Sequence, residues 1–194
     1  MSDPVQLLAF AGSTRTQSLN KKLVKIAAEG ARKAGAVVTV ADLRDFAMPL
    51  FDEDLESREG PPPCATQLKK LMIASDGFII SSPEYNSSIS AVLKNAIDWV
   101  SRAAAGERPL AAFSGKTAVL MAASPGALGG LRGLVHLRAI LGNLNMIVLP
   151  EQRAIPTAHQ AFEGDGRLKD ATLHESVEAL GHRLAFVTRK LKAV

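Results

Sequence analysis

The chain has 194 residues, 47% hydrophobic and 22% charged, which excludes a disordered or fibrous protein and suits one globular domain over 1–194. Its net charge of +4 comes from basic residues scattered among acids, in pairs such as Lys21-Lys22 and Lys69-Lys70, so nucleic acid is not an expected partner. A single cysteine, Cys64, excludes an internal disulfide framework, and no apolar run approaches the roughly 20 residues of a membrane helix.

Val5 to Ala11 is an apolar run that reads as a buried parallel strand. Gly12-Ser13-Thr14-Arg15-Thr16-Gln17-Ser18-Leu19-Asn20 follows, and then apolar residues at helical spacing to Ala34, with Gly35 as the stop. Ala36 to Val40 is a β-branched strand, completing a βαβ unit. Asp42 to Pro63 reads as a loop holding an apolar Met48-Pro49-Leu50-Phe51 and a solvated acidic cluster of Asp52, Glu53, Asp54 and Glu56. Thr66 to Ser75 is helical and Asp76 to Ser81 is the third strand.

Ser82 to Ser88 is a polar loop, with Ser87 or Ser88 able to cap the next helix. That helix carries Ile89, Val92, Leu93, Ala96, Ile97 and Val100, and late on it Trp99 reads as core or subunit contact. Ala103 to Gly115 is a linker and Lys116 to Ala122 the fourth strand. Ser114-Gly115-Lys116-Thr117 precedes a strand and lacks the first glycine of a Walker A loop, so it is not one. Ser124 to Gly130 is a third small-residue loop, followed by a helix to about Gly142. Met146 to Leu149 is a fifth strand stopped by Pro150, Glu151 to Gly166 is irregular, and Leu173 to Leu191 marks a docking helix.

Strands alternating with helices imply an α/β three-layer sandwich, a parallel sheet covered on both faces. Five strands favour the flavodoxin-like order 2-1-3-4-5, in which ligands bind at the carboxyl ends of the strands where the order reverses. The loops Gly12–Asn20, Ser82–Ser88 and Ser124–Gly130 follow strands one, three and four and converge there. The first suits an anion, because the first amides of a helix lack partners and the dipole is positive there, against the alternative of a plain strand–helix turn capped by Ser18. The second offers backbone polar groups, Tyr85 and the Asn86 amide. The third lets a flat ligand approach its backbone. Phosphate, polar heterocycle edge and flat face together describe FMN. The four histidines show no ligand spacing, so no metal is expected, and no Ser–His–Asp set or activated cysteine is visible. An enzyme so built borrows its chemistry from a cofactor.

Gly12 to Asn20 matches the pattern G-S-x-R-x-x-S-x-N and resembles the NAD(P)H-dependent FMN reductase family of quinone, azo-dye and chromate reductases. Ser82-Pro83-Glu84-Tyr85-Asn86-Ser87-Ser88-Ile89 with Leu93-Lys94-Asn95-Ala96-Ile97-Asp98-Trp99 resembles its second motif, and the likeness runs from Val5 to Leu191. The resemblance implies that Ser13, Arg15, Ser18 and Asn20 hold the FMN phosphate, with Leu19 between them also cofactor-binding. It implies that Pro83, Glu84, Tyr85 and Asn86 meet the isoalloxazine ring and ribityl chain, and that Ser124 and Gly126 line the far edge. NAD(P)H would be the hydride donor in a ping-pong reaction, with no side chain acting as acid or base. A homodimer or homotetramer in the cytoplasm is implied, with Tyr85, Arg132 and Glu151 as an interface network. Asp3 and Pro4 argue against a secretory leader. The alternatives are a free-flavin reductase and a flavodoxin-type electron carrier.

Overall fold

The first strand, β1 (Gln6–Ala11), pairs in parallel with β2 (Val37–Asp42) on one side and β3 (Gly77–Ser81) on the other, with Ala9 opposite Val40 and Ile79. β3 pairs in parallel with β6 (Thr117–Ala123), and β6 with β7 (Ile147–Ile155). A hairpin of β4 (Glu84–Tyr85) and β5 (Ser88–Ile89) stands apart. The sheet order is β2-β1-β3-β6-β7, which without the hairpin is the expected 2-1-3-4-5. This computed structural model describes residues 3–104 and 106–193, so Ala105 of the expected linker lies outside the described residues.

Alternation of side chains divides each apolar strand between two layers. Leu7, Ala9, Ile79, Val119 and Met121 face α1 (Leu19–Lys33) and α7 (Ala171–Lys192) through Leu23, Ile26 and Leu184. Leu8, Phe10, Phe78, Ile80 and Leu120 face the other way, toward Leu68 on α3 (Pro63–Ile73), Leu93 on α4 (Ala91–Ser101) and Leu137 on α5 (Leu131–Asn143). The edge strands expose Val37, Val40 and Ile147. Helices α1 and α7 approach closely because both are glycine at the contact: a Cβ on Gly30 would lie 1.9 Å from the Glu178 carbonyl oxygen, and one on Gly181 1.7 Å from that of Ala27.

Four local expectations need correction. Residues 42–63 are not one loop: Leu43–Phe46 is a 3-10 turn and α2 spans Glu53–Glu59. The acidic cluster forms the α2 N-terminus, where Asp52 accepts from the amides of Asp54 and Leu55 and the dipole favours negative charge. Helix α4 starts at Ala91 with Ser90 as its N-cap, so neither Ser87 nor Ser88 caps it and Ile89 belongs to β5. Finally, β7 continues through Pro150. Two extra residues opposite Val119 form a bulge, and on an edge strand the missing N–H is tolerated. A short α6 (Ala158–Ala161) then breaks the stretch read as irregular.

Trp99 is core: it is 1% exposed, donates to the Pro49 carbonyl at 2.8 Å and meets Phe51 edge-on, fixing the Met48–Phe51 segment.

Candidate functional site

Three loops leave the carboxyl ends of β1, β3 and β6, and the Gly12 and Ser82 amides each bond the carbonyl of the adjacent strand, Ser81 and Met121. In the first, the Gly12 amide donates to the Ser81 carbonyl at 2.9 Å. Its Cα sits against Leu93, where a Cβ would come within 2.9 Å of that side chain, so any larger residue would displace Leu93. Ser13, Ser18 and Asn20 are buried, whereas Thr14 to Gln17 are exposed. Ser18 is the N-cap of α1 and makes no capping hydrogen bond, and the first turn carries no acid. An uncapped, positive helix end is therefore left beside a buried serine. Arg15 is exposed and pairs with no carboxylate among the described residues.

The Asn20 side chain is spent inside the protein. Its Nδ2 donates to the Ala123 carbonyl at 2.9 Å, and its Oδ1 accepts from the Ala123 amide at 2.9 Å and from Ser81 Oγ at 2.7 Å. Only its backbone N–H is directed to the helix end. Leu19 is half-buried against the α1 side of the core and likewise offers backbone alone.

The second loop is a hairpin. Asn86 and Ser87 form its turn with φ of +51° and +65°, as a type I′ turn requires. Pro83 is buried and Tyr85 is 54% exposed. Glu84 Oε1 accepts from Arg132 Nε at 2.8 Å and Nη2 at 2.5 Å, and Oε2 from the Gly133 amide at 3.2 Å. Burial would raise its pKa, but the guanidinium and the amide outweigh it and hold the carboxyl below its ordinary value. Ser88 meets His136 Nδ1 at 2.9 Å. The hairpin thus lies on α5, the helix that follows the third loop.

In that third loop Ser124 Oγ accepts from the Gly126 amide at 3.4 Å, and Gly126 to Leu128 are exposed. Gly129 and Gly130 have φ of +61° and +95°. A Cβ on Gly129 would lie 2.6 Å from the Ile155 carbonyl carbon. The expected network of Tyr85, Arg132 and Glu151 is not assembled within the protomer: Arg132 holds Glu84, while Glu151 Oε1 accepts from Arg183 Nε at 3.1 Å.

Two contributors were not anticipated. Ser90 donates from Oγ to the Gly12 carbonyl at 2.6 Å while accepting from the Leu93 amide, so one residue caps α4 and pins the first loop. Its place before an apolar helical run was a readable signal, masked by the adjacent serines. Arg44 donates from Nε to the Thr14 carbonyl at 2.9 Å and from Nη2 to Thr16 Oγ1 at 2.9 Å. Nothing local in the sequence marks that long-range brace. Nearby Asp42 accepts from Lys21 at 2.5 Å. Its burial is outweighed by Lys21 and the Arg44 amide, which hold the carboxyl below the usual range.

A cavity of about 1000 Å³ runs along α1 past Thr16, Gln17 and Ser18 to the turn at 164–167. Another of about 290 Å³ lies between Thr14, Phe46, Met48 and Val92. Neither reaches the hairpin or the 124–130 loop.

Residues 5–160 match the family model of NADPH-dependent FMN reductase. The chain belongs to this family. It is 35% identical over 193 residues to an NAD(P)H-dependent FMN reductase of Pseudomonas aeruginosa, covering 99% of this chain and 100% of that one. It is 37% identical to a quinone reductase of Escherichia coli over 77% of this chain and 76% of that one. Among solved structures it is similar to FerB, a flavoenzyme NAD(P)H:(acceptor) oxidoreductase of Paracoccus denitrificans, with TM-score 0.79 and 26% identity over 96% and 98% of the chains. An archaeal flavodoxin shares the fold at TM-score 0.62 and 10% identity, covering 95% and 99%.

As a member of the NADPH-dependent FMN reductase family, this oxidoreductase needs a seat for a phosphorylated flavin. The donor set suits one: Ser18 makes no capping bond, the first turn of α1 is open, and Arg15 has no carboxylate partner among the described residues. No described helix is long and apolar enough to cross a membrane.

Proposed function

We propose that the protein is an NAD(P)H-dependent FMN oxidoreductase that passes electrons to quinones and, at the same open site, to azo dyes or chromate. The observation that carries this reading is the convergence of an uncapped helix N-terminus, an exposed-tyrosine hairpin and a glycine-rich loop at one end of the sheet. Ser13, Ser18, Arg15 and the amides of Leu19 and Asn20 hold the phosphate. Pro83 to Asn86 meet the ring edge and ribityl chain, Glu84 through its backbone because its carboxylate is engaged by Arg132. Ser124 and Gly126 border the far edge.

Held by these residues, FMN would supply the redox chemistry that links NAD(P)H to the acceptor, in a ping-pong reaction. The chain's backbone amides offset negative charge that builds on the ring. No side chain of this set transfers a proton.

We further propose one domain over the whole chain, a cytoplasmic setting and assembly as a homodimer or homotetramer. Support for a second copy comes from exposed Leu131 and Val135 on α5, which packs on the Tyr85 hairpin, and from Glu151 Oε2, which is buried with no hydrogen-bond partner among the described residues. Titration with FMN, followed by quenching of flavin fluorescence, tests the reading. One FMN bound per chain supports it, and no saturable binding refutes it.

A further inference from the structure

Strand β6 outruns its neighbour. The last residue of β3, Ser81, pairs with Met121, and the Ser82 amide donates to the Met121 carbonyl at 2.8 Å. Two residues on, Ala123 presents its N–H and C=O toward the same side, where no strand remains to receive them. Leaving both buried and unpaired would carry the full desolvation penalty of each group. The Asn20 carboxamide fills the gap. One donor and one acceptor of a planar amide meet the Ala123 carbonyl and amide, both at 2.9 Å, as a further strand residue would. Its Oδ1 also accepts from Ser81 Oγ at 2.7 Å. Asn20 and Ser81 are 4% and 0% exposed, so water does not substitute for these bonds.

We infer that Asn20 is a positioning residue that sets the third loop against the first, and that its side chain is not a phosphate ligand. This rests on the flavin reading above. Ala123 is the residue from which the Ser124–Gly130 loop departs, and Asn20 is in the first turn of the helix whose end holds the phosphate. The clip therefore fixes the distance between the phosphate seat and the loop at the ring's far edge. Its loss loosens the seat of the ring, which FMN and riboflavin share. Loss of a phosphate ligand weakens FMN alone.

The test is fluorescence titration of wild type, Asn20→Ala and Arg15→Ala with FMN and with riboflavin. Asn20→Ala is expected to weaken both flavins by similar factors of tenfold or more, whereas Arg15→Ala weakens FMN and spares riboflavin. Ser81→Ala, which removes a single bond, gives the same pattern at smaller size and serves if Asn20→Ala does not fold. Thr188→Val is the stability control. It breaks the buried 2.6 Å contact between the Thr117 and Thr188 hydroxyls, beside the start of β6. It should lower the melting temperature and leave both affinities unchanged. Loss of FMN affinity alone in Asn20→Ala, or unchanged affinity in both Asn20→Ala and Ser81→Ala, overturns the inference while the flavin reading stands. A wild-type chain that binds neither flavin overturns the flavin reading, and this inference with it.

Discussion

Glu84 and Arg132 join the hairpin to the helix that leaves the third loop, with Arg132 Nε 2.8 Å from Glu84 Oε1. Glu84's folded pKa lies below its ordinary 4.5, so the pair stabilises the fold fully above pH 4.5 and is lost as pH falls through the lower folded value. The hairpin should therefore keep its place at pH 5 and loosen only in stronger acid. NMR of Tyr85, the chain's single tyrosine, reports this. Glu84→Gln should abolish that acid transition and cost about 1 kcal/mol, because Arg132 is more than half exposed and water screens the pair.

Ser90 serves two elements, so its loss should be felt in both. Ser90→Ala removes the cap of α4 and the bond to the Gly12 carbonyl. A destabilisation of about 1–2 kcal/mol is expected in urea unfolding, with weaker FMN binding at temperatures where the variant remains folded.

Arg15→Ala should weaken FMN by roughly 10- to 150-fold, the equivalent of about 1.5–3 kcal/mol for a bond to a charged group. Equilibrium titration reads this directly, and unchanged FMN affinity would remove Arg15 from the phosphate seat. Arg44→Gln, which frees the Thr14 carbonyl and Thr16 hydroxyl, should act in the same direction with a smaller effect.

Gly129→Ala places a Cβ against the Ile155 backbone at a left-handed φ of +61°. At least about 1–3 kcal/mol of backbone strain is expected. The melting temperature should drop, and the neighbouring third loop should lose its grip on flavin.

The sheet order and the meeting of three loops were legible in the sequence. Continuous apolar runs mark central parallel strands, and Gly12, Pro83 and Gly126 mark the turns after them. What escaped depends on partners far along the chain. Asn20 reads locally as an anion ligand, and only the two-residue overhang of β6 past β3 shows why its amide is consumed by Ala123. Asp52 and its acidic neighbours read as a solvated run because charge dominates their composition, yet the same charges favour a helix N-terminus. Pro150 reads as a strand stop, and the edge position of β7 permits it.

The most direct test of the proposed chemistry is initial-rate kinetics of the FMN-loaded protein, varying NAD(P)H against a soluble quinone. Parallel double-reciprocal lines, with turnover well above that of the same free FMN alone, are predicted. Turnover no faster than free FMN, or intersecting lines, would contradict flavin-bound ping-pong transfer by this chain.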